Sequence, residues 1–179
     1  MTLDTPPHYR AATRTLLRYS VAMTIVALLS GVLFQESSKK LDYAEAGPGL
    51  RLEAVLSLAL VHGHMFVTGV LIPLAMAGAL YLGLKAGGAV LSPWPLKWLT
   101  RGYLPLVGVT MGLMLYKGYH VLLAVRRGAR DLDLVDAGYF GGVAWLRHGT
   151  YGAAHIGMAV SLGVFVVAVW RSLRRTASA

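Results

Sequence analysis

Six histidines and no cysteine set the chemistry open to this chain. Two of them stand two apart in Val61-His62-Gly63-His64-Met65-Phe66, inside an apolar run from Ala54 to Leu84. A titratable side chain at such a place is costly in hydrocarbon and marks a site. His120, His148 and His155 fall in two further apolar runs. Imidazole ligates haem iron, copper and zinc. The lack of cysteine removes disulfides, thiolate metal sites and Cys-attached haem. Any metal is left to His, Met, carboxylate or carbonyl ligands. His8 belongs to a polar stretch, residues 1–15, and reads as a solvated residue of a short terminal arm.

The elements that must position these imidazoles are membrane helices. Of 179 residues, 56% are hydrophobic and 14% charged, with a mean hydropathy of +0.58. Soluble domains carry about 25% charged residues, so the class is integral membrane protein. Spans are expected at about 16–34, 54–84, 102–125 and 148–170; crossing a bilayer takes about 20 apolar residues. Arg10, Arg14 and Arg18 precede the first run as in a signal peptide. That run exceeds a signal core and no small-x-small site follows, so it reads as an uncleaved span. Pro73 predicts a kink in the second span, and Pro105 falls in the first turn of the third, where proline is tolerated. Trp94 and Trp98 suit a membrane interface. Residues 126–147 mix Arg126, Arg127 and Arg130 with Asp131, Asp133 and Asp136 and with apolar side chains, a composition that predicts a partly interfacial segment. Together these features predict one transmembrane domain, residues 1–179, all-α, folded as an antiparallel four-helix bundle.

The formal net charge is +9, with a pI near 10.1. Its Lys and Arg flank the apolar runs, which serves membrane orientation and not nucleic-acid binding. Nine of these cations fall on the side of the termini and seven on the other. The excess predicts both termini in the cytoplasm and a multi-pass protein of the cell inner membrane. In that orientation His62, His64, His120, His148 and His155 share the outer half of the bilayer and come from three helices. His148 and His155 are seven apart and share a helix face. His120 shares a face with Tyr116 and Lys117. His62 and His64 point to nearly opposite sides, so a straight helix does not let them chelate one ion.

Three functions fit. The first is haem b, with His62 and His155 as the axial metal ligands and His64 as substitute for His62. His120 and His148 then form a rim pair for a second haem, a metal or hydrogen bonds. Gly63, Gly69, Gly108, Gly112, Gly118, Gly149, Gly152 and Gly157 give a flat macrocycle room, and Lys117, Arg147 and the loop arginines offer partners for propionates. The role is electron transfer or redox sensing, with a redox protein or a quinone as partner, lipid around it, and an oligomer compatible with the sequence. Whether the chain is itself a catalyst is left open. The second is a copper or zinc site, with Met65, Met111, Met114 and Met158 available to cuprous copper. The third is a non-catalytic assembly or interaction subunit of a respiratory complex, whose histidines hydrogen-bond across helices.

His62-Gly63-x-x-Phe66, with Pro73 eleven residues after His62, resembles the second helix of haem–copper oxidase catalytic subunits. In that family the His-Gly histidine is an axial haem ligand, followed by a methionine and a proline at similar spacing. The resemblance implies that His62 is the ligand. It covers one helix, and Met65 stands one position earlier than the family's methionine. The His-x-His helix also resembles that of small four-span bacterial membrane families of unknown function.

Overall fold

The computed structural model describes residues 5–41 and 47–174. Residues 1–4 of the expected terminal arm lie outside them. Four long helices dominate: α1 (Pro7–Ser38), α2 (Pro48–Lys85), α3 (Pro93–Arg126) and α5 (Ala144–Arg174), with a short α4 (Leu132–Ala137) before α5. Each long helix is long and apolar enough to cross a membrane, which makes this an all-α, multi-pass bundle.

Helix ends follow local chemistry. Pro7, Pro48 and Pro93 stand in first turns, where the missing N–H costs nothing. The Asp131 carboxylate caps α4 by accepting from the N–H groups of Asp133 and Leu134. Gly87 and Gly128, with φ of 81° and 96°, turn the chain after α2 and α3. Residues 7–15 of the expected terminal arm are instead the first turns of α1. His8 is half-buried there and donates through Nε2 to the Leu91 carbonyl at 2.9 Å. The third helix likewise begins at Pro93, so Pro105 is not in its first turn but in its interior.

That interior proline has a visible consequence. Residues Leu99–Tyr103 of α3 and Met65–Leu71 of α2 are wound as π-helix, and each segment ends two residues before a proline, Pro105 or Pro73. A helix-interior proline clashes with the carbonyl four residues back. Widening the preceding turn relieves the clash without breaking the helix.

Neighbouring long helices in sequence are antiparallel, and α2 and α3 are the central pair. They close where Leu58 lies over Gly118 and where the Tyr103 hydroxyl donates to the Thr68 carbonyl at 2.9 Å. Helix α1 covers one side of α2, with Met23 over Gly69. Helix α5 covers α3, with Leu106 over Gly157. Small residues at these crossings let backbones approach, the usual mode of association in lipid. Helix α5 is the least enclosed: 17% of its apolar window is buried against 39% for α2. It meets α2 only towards the end where both finish, and the two run parallel. Below, the end where α1 finishes and α2 begins is called distal, the other proximal.

Candidate functional site

All five histidines of the apolar runs sit in the distal half, but in different surroundings. His62 turns to α1. Its Nδ1–H donates to the Ala27 carbonyl at 2.7 Å, and its ring lies on Gly31, where a Cβ would come within 2.9 Å of it. Phe66 meets the ring edge-on at 5.1 Å. His64 is on the opposite side, exposed, and donates Nδ1–H to Leu60 of its own helix at 2.8 Å. His155 does the same on α5, donating to Tyr151 at 2.8 Å, and it too is exposed. A carbonyl only accepts, so Nδ1 is the donor in all three, and Nε2 takes no part in these bonds.

An apolar groove of about 380 Å³ separates α2 from α5, lined by Ile72, Met76 and Ala79 on one wall and by Leu162, Val166 and Leu173 on the other. Helical spacing carries both walls distally. His155 precedes Leu162 and Val166 by seven and eleven residues, hence stands on the same face of α5. On α2, His64, Thr68, Ile72 and Met76 follow at four-residue steps. In a plain α-helix such steps drift round the axis by about 40° each. The π-turn at Met65–Leu71, with its wider winding, offsets that drift, so His64 falls near the face of α2 that carries Ile72 and Met76. Neither imidazole lines the groove itself.

Helix α3 packs against both α2 and α5. Tyr103 reaches α2 and Leu106 touches α5, and Thr110 stands one turn beyond Leu106. Thr15, Thr24, Thr68, Thr100 and Thr150 each donate to the carbonyl four residues earlier. Thr110 does not. It is 1% exposed, and its hydroxyl is the one buried side-chain polar atom without a partner among the described residues. Such a group costs about 1–3 kcal/mol when left unpaired.

The rim histidines belong to a separate cluster. Asp136 binds Lys117 at 2.9 Å and Arg147 at 2.8 Å. The hydrogen bond from Lys117, followed by the charges of Lys117 and Arg147, holds the Asp136 carboxyl below its ordinary range despite partial burial. Both cations expected to face propionates are therefore engaged by a carboxylate. With Tyr139, His148 and Tyr151 these residues line a pocket of about 150 Å³. His148 is exposed, 3.3 Å from Arg147. His120 lies elsewhere: it donates to the Val135 carbonyl at 3.1 Å and packs on Tyr116 and Tyr139. It does not line the pocket with His148, so the two do not meet there as a rim pair. Tyr139 and Tyr151 both reach the Leu113 carbonyl, and burial, then the bond to Tyr151, pushes the Tyr139 hydroxyl up. Phe140, with φ of 56°, closes the chain over these rings. Residues 132–142 thus fold back as an aromatic and ionic cap on α3.

Sequence spacing brought five histidines to one level but left open which face each takes. The structure turns His62 to α1 and leaves His64 and His155 exposed, each on one of the two helices that wall the α2–α5 groove. Missed altogether was Thr110, whose only sequence signal is a hydroxyl in the middle of an apolar span. Among the described residues no three His, Cys, Asp or Glu side chains stand close enough to hold one metal ion. The methionines are occupied in packing: Met65 and Met111 are buried in the core, and Met114 and Met158 pack against it. Of the glycines expected to make room, Gly118, Gly157 and Gly69 are filled by Leu58, Leu106 and Met23, whereas Gly63, Gly112 and Gly152 are open. Neither a protein family, nor a curated protein, nor a solved structure matches this chain.

Proposed function

We propose that this is a b-type haem-binding membrane protein for electron transfer or redox sensing, and that His64 and His155 are its axial ligands. The observation that carries the reading is the pair itself: two exposed imidazoles in the distal half, on the two helices that wall one apolar groove, each with Nδ1–H on its own helix and Nε2 outside that bond. The donor set suits the group. A porphyrin supplies four of the iron's ligands, so two imidazoles suffice, whereas a bare copper or zinc ion wants three or more protein ligands. The orphaned Thr110 hydroxyl on α3 and the open Gly152, one turn from His155, would supply a polar partner and space. Here His64 takes the place that the resemblance to haem–copper oxidases gives to His62.

When bound, the haem supplies one-electron chemistry at iron. The chain's residues do the rest. The Leu60 and Tyr151 carbonyls fix the tautomer and the ring plane of the two ligands, a tuning role of hydrogen bonds behind a metal. The apolar walls exclude water, which favours the less charged iron state. His62 is a helix–helix fastener and His120 anchors the cap. Both termini are taken as cytoplasmic and the membrane as the cell inner membrane, on the charge excess at the proximal end. Haem titration of the detergent-purified chain tests the proposal. Parent protein should take up haem stoichiometrically and show a sharp, split spectrum on reduction, His64→Ala and His155→Ala should each lose it, and His62→Ala should keep it. Unchanged haem binding in both of the first two variants would defeat the assignment.

A further inference from the structure

We infer that the proximal end holds a binding site for the phosphodiester headgroup of an anionic phospholipid, between the first turns of α1 and α3. A cavity of about 360 Å³ opens there. On α1 its wall is His8, Ala11, Ala12 and Thr15; on α3 it includes Leu96, Lys97, Thr100 and Arg101. Both sets follow the spacing of a single helix face, so the cavity is a groove where two helices diverge. Its apolar floor is Ala12 and Leu96, both buried.

The groove is firmly built. His8 donates to the Leu91 carbonyl at 2.9 Å, and the Leu91 N–H donates to the Tyr9 hydroxyl at 2.8 Å. These two bonds tie the segment before α3 to α1 and fix the width of the groove. Lys97 and Arg101 then stand at its mouth, four residues apart and exposed. Neither has a salt bridge or hydrogen bond among the described residues, in contrast to Lys117 and Arg147, which share Asp136.

Charge selects the occupant. Every described acidic residue, from Glu36 and Glu53 to Asp131, Asp133 and Asp136, lies at the distal end. No protein carboxylate among the described residues is therefore at hand to neutralise Lys97 and Arg101. The N-terminus of α3, a continuous helix of 34 residues, adds its positive dipole end beside them. Depth selects the source of the anion. Trp94 and Trp98 are exposed on the same turns with their rings 5.8 Å apart, a placement that marks the headgroup level of a bilayer. A ligand at that level with a negative phosphodiester and apolar tails matches a cationic mouth over an apolar floor. A free phosphate matches only the mouth.

The test uses the full chain purified in a neutral detergent. Thermal unfolding is measured with added phosphatidylglycerol, with phosphatidylcholine and with inorganic phosphate, and retained lipid is read by native mass spectrometry. Phosphatidylglycerol should raise the melting temperature and stay bound one to one, and the other two should not. Near an anionic lipid surface each cation is worth about 1 kcal/mol, hence about fivefold in affinity, so Lys97→Gln/Arg101→Gln should weaken binding about thirtyfold. Arg101→Lys should restore most of that loss relative to Arg101→Gln, and Arg126→Gln/Arg127→Gln at the distal end should change nothing. Equal shifts from the neutral lipid, or the same shift from phosphate alone, would overturn the site in the parent protein without recourse to variants. So would a Lys97→Gln/Arg101→Gln protein that binds within about twofold of the parent.

Discussion

Replacing His62 and His64 by alanine, one at a time, should separate a fastener from a ligand. His62→Ala loses the bond to the Ala27 carbonyl, 2.7 Å long and made between helices. Such bonds average about 0.6 kcal/mol in membrane proteins. It also loses the edge-on contact with Phe66 at 5.1 Å, a geometry worth about 0.5–1.5 kcal/mol between rings. With the vacated groove over Gly31 the expected cost is about 2 kcal/mol. His64→Ala removes only a bond within one helix at an exposed position, so its stability should stay within about 0.5 kcal/mol of the parent. Gly31→Ala provides the control. Its Cβ would come within 2.9 Å of the imidazole, which must leave its place, so it should cost about 1–3 kcal/mol with no histidine altered. Unfolding in mixed micelles, titrated with a denaturing detergent and followed by tryptophan fluorescence, reads all three. If His64→Ala destabilises as much as His62→Ala, or if Gly31→Ala is silent, the assignment of the two rings is refuted.

Thr110→Val keeps the shape and removes the orphan hydroxyl. It should stabilise the haem-free protein by about 1 kcal/mol in the same unfolding assay while weakening haem uptake. Gly118→Ala would place a Cβ 2.6 Å from Leu58 at the α2–α3 crossing and should destabilise by about 1–3 kcal/mol, relieved by a second change of Leu58→Ala. The cap over α3 should loosen at both pH extremes, as read by hydrogen exchange of residues 132–142. Asp136 has a lowered folded-state pKa, so its contribution is present above the ordinary value of 3.8 and fades as the pH falls through the folded one. Tyr139 has a raised one, so its contribution holds below 10.0 and fades as the pH climbs above that. Asp136→Asn should abolish the acid transition and leave the alkaline one.

The four spans were legible because each apolar run exceeds the thickness of a bilayer's hydrocarbon core. Their true ends were not. Helix α1 starts at Pro7 and α3 at Pro93, well before the apolar residues, because headgroup-level helix is rich in Arg, Lys and Trp and looks like loop in a hydropathy scan. The agreement of the histidines in depth was also legible, being a matter of counting from helix ends. Which ring of His62 and His64 faces a partner was not. Both sit in the same apolar run, and the choice depends on Gly31, which leaves a place for one imidazole on another helix. The pairing at the rim was not legible for a similar reason. Asp136 folds back from a segment after α3 to neutralise Lys117 and Arg147, a pairing that spacing along the chain does not encode. Pro73 and Pro105 did announce local disturbance, but not that it takes the form of a π-turn before each.

The most direct measurement is the reduced-minus-oxidised visible spectrum of the chain purified with haem supplied, for the parent and for His64→Ala and His155→Ala. The parent should show sharp α and Soret bands of a haem with two imidazole ligands, and each variant should lose them. A colourless parent, or variants with the parent's spectrum, would contradict the account.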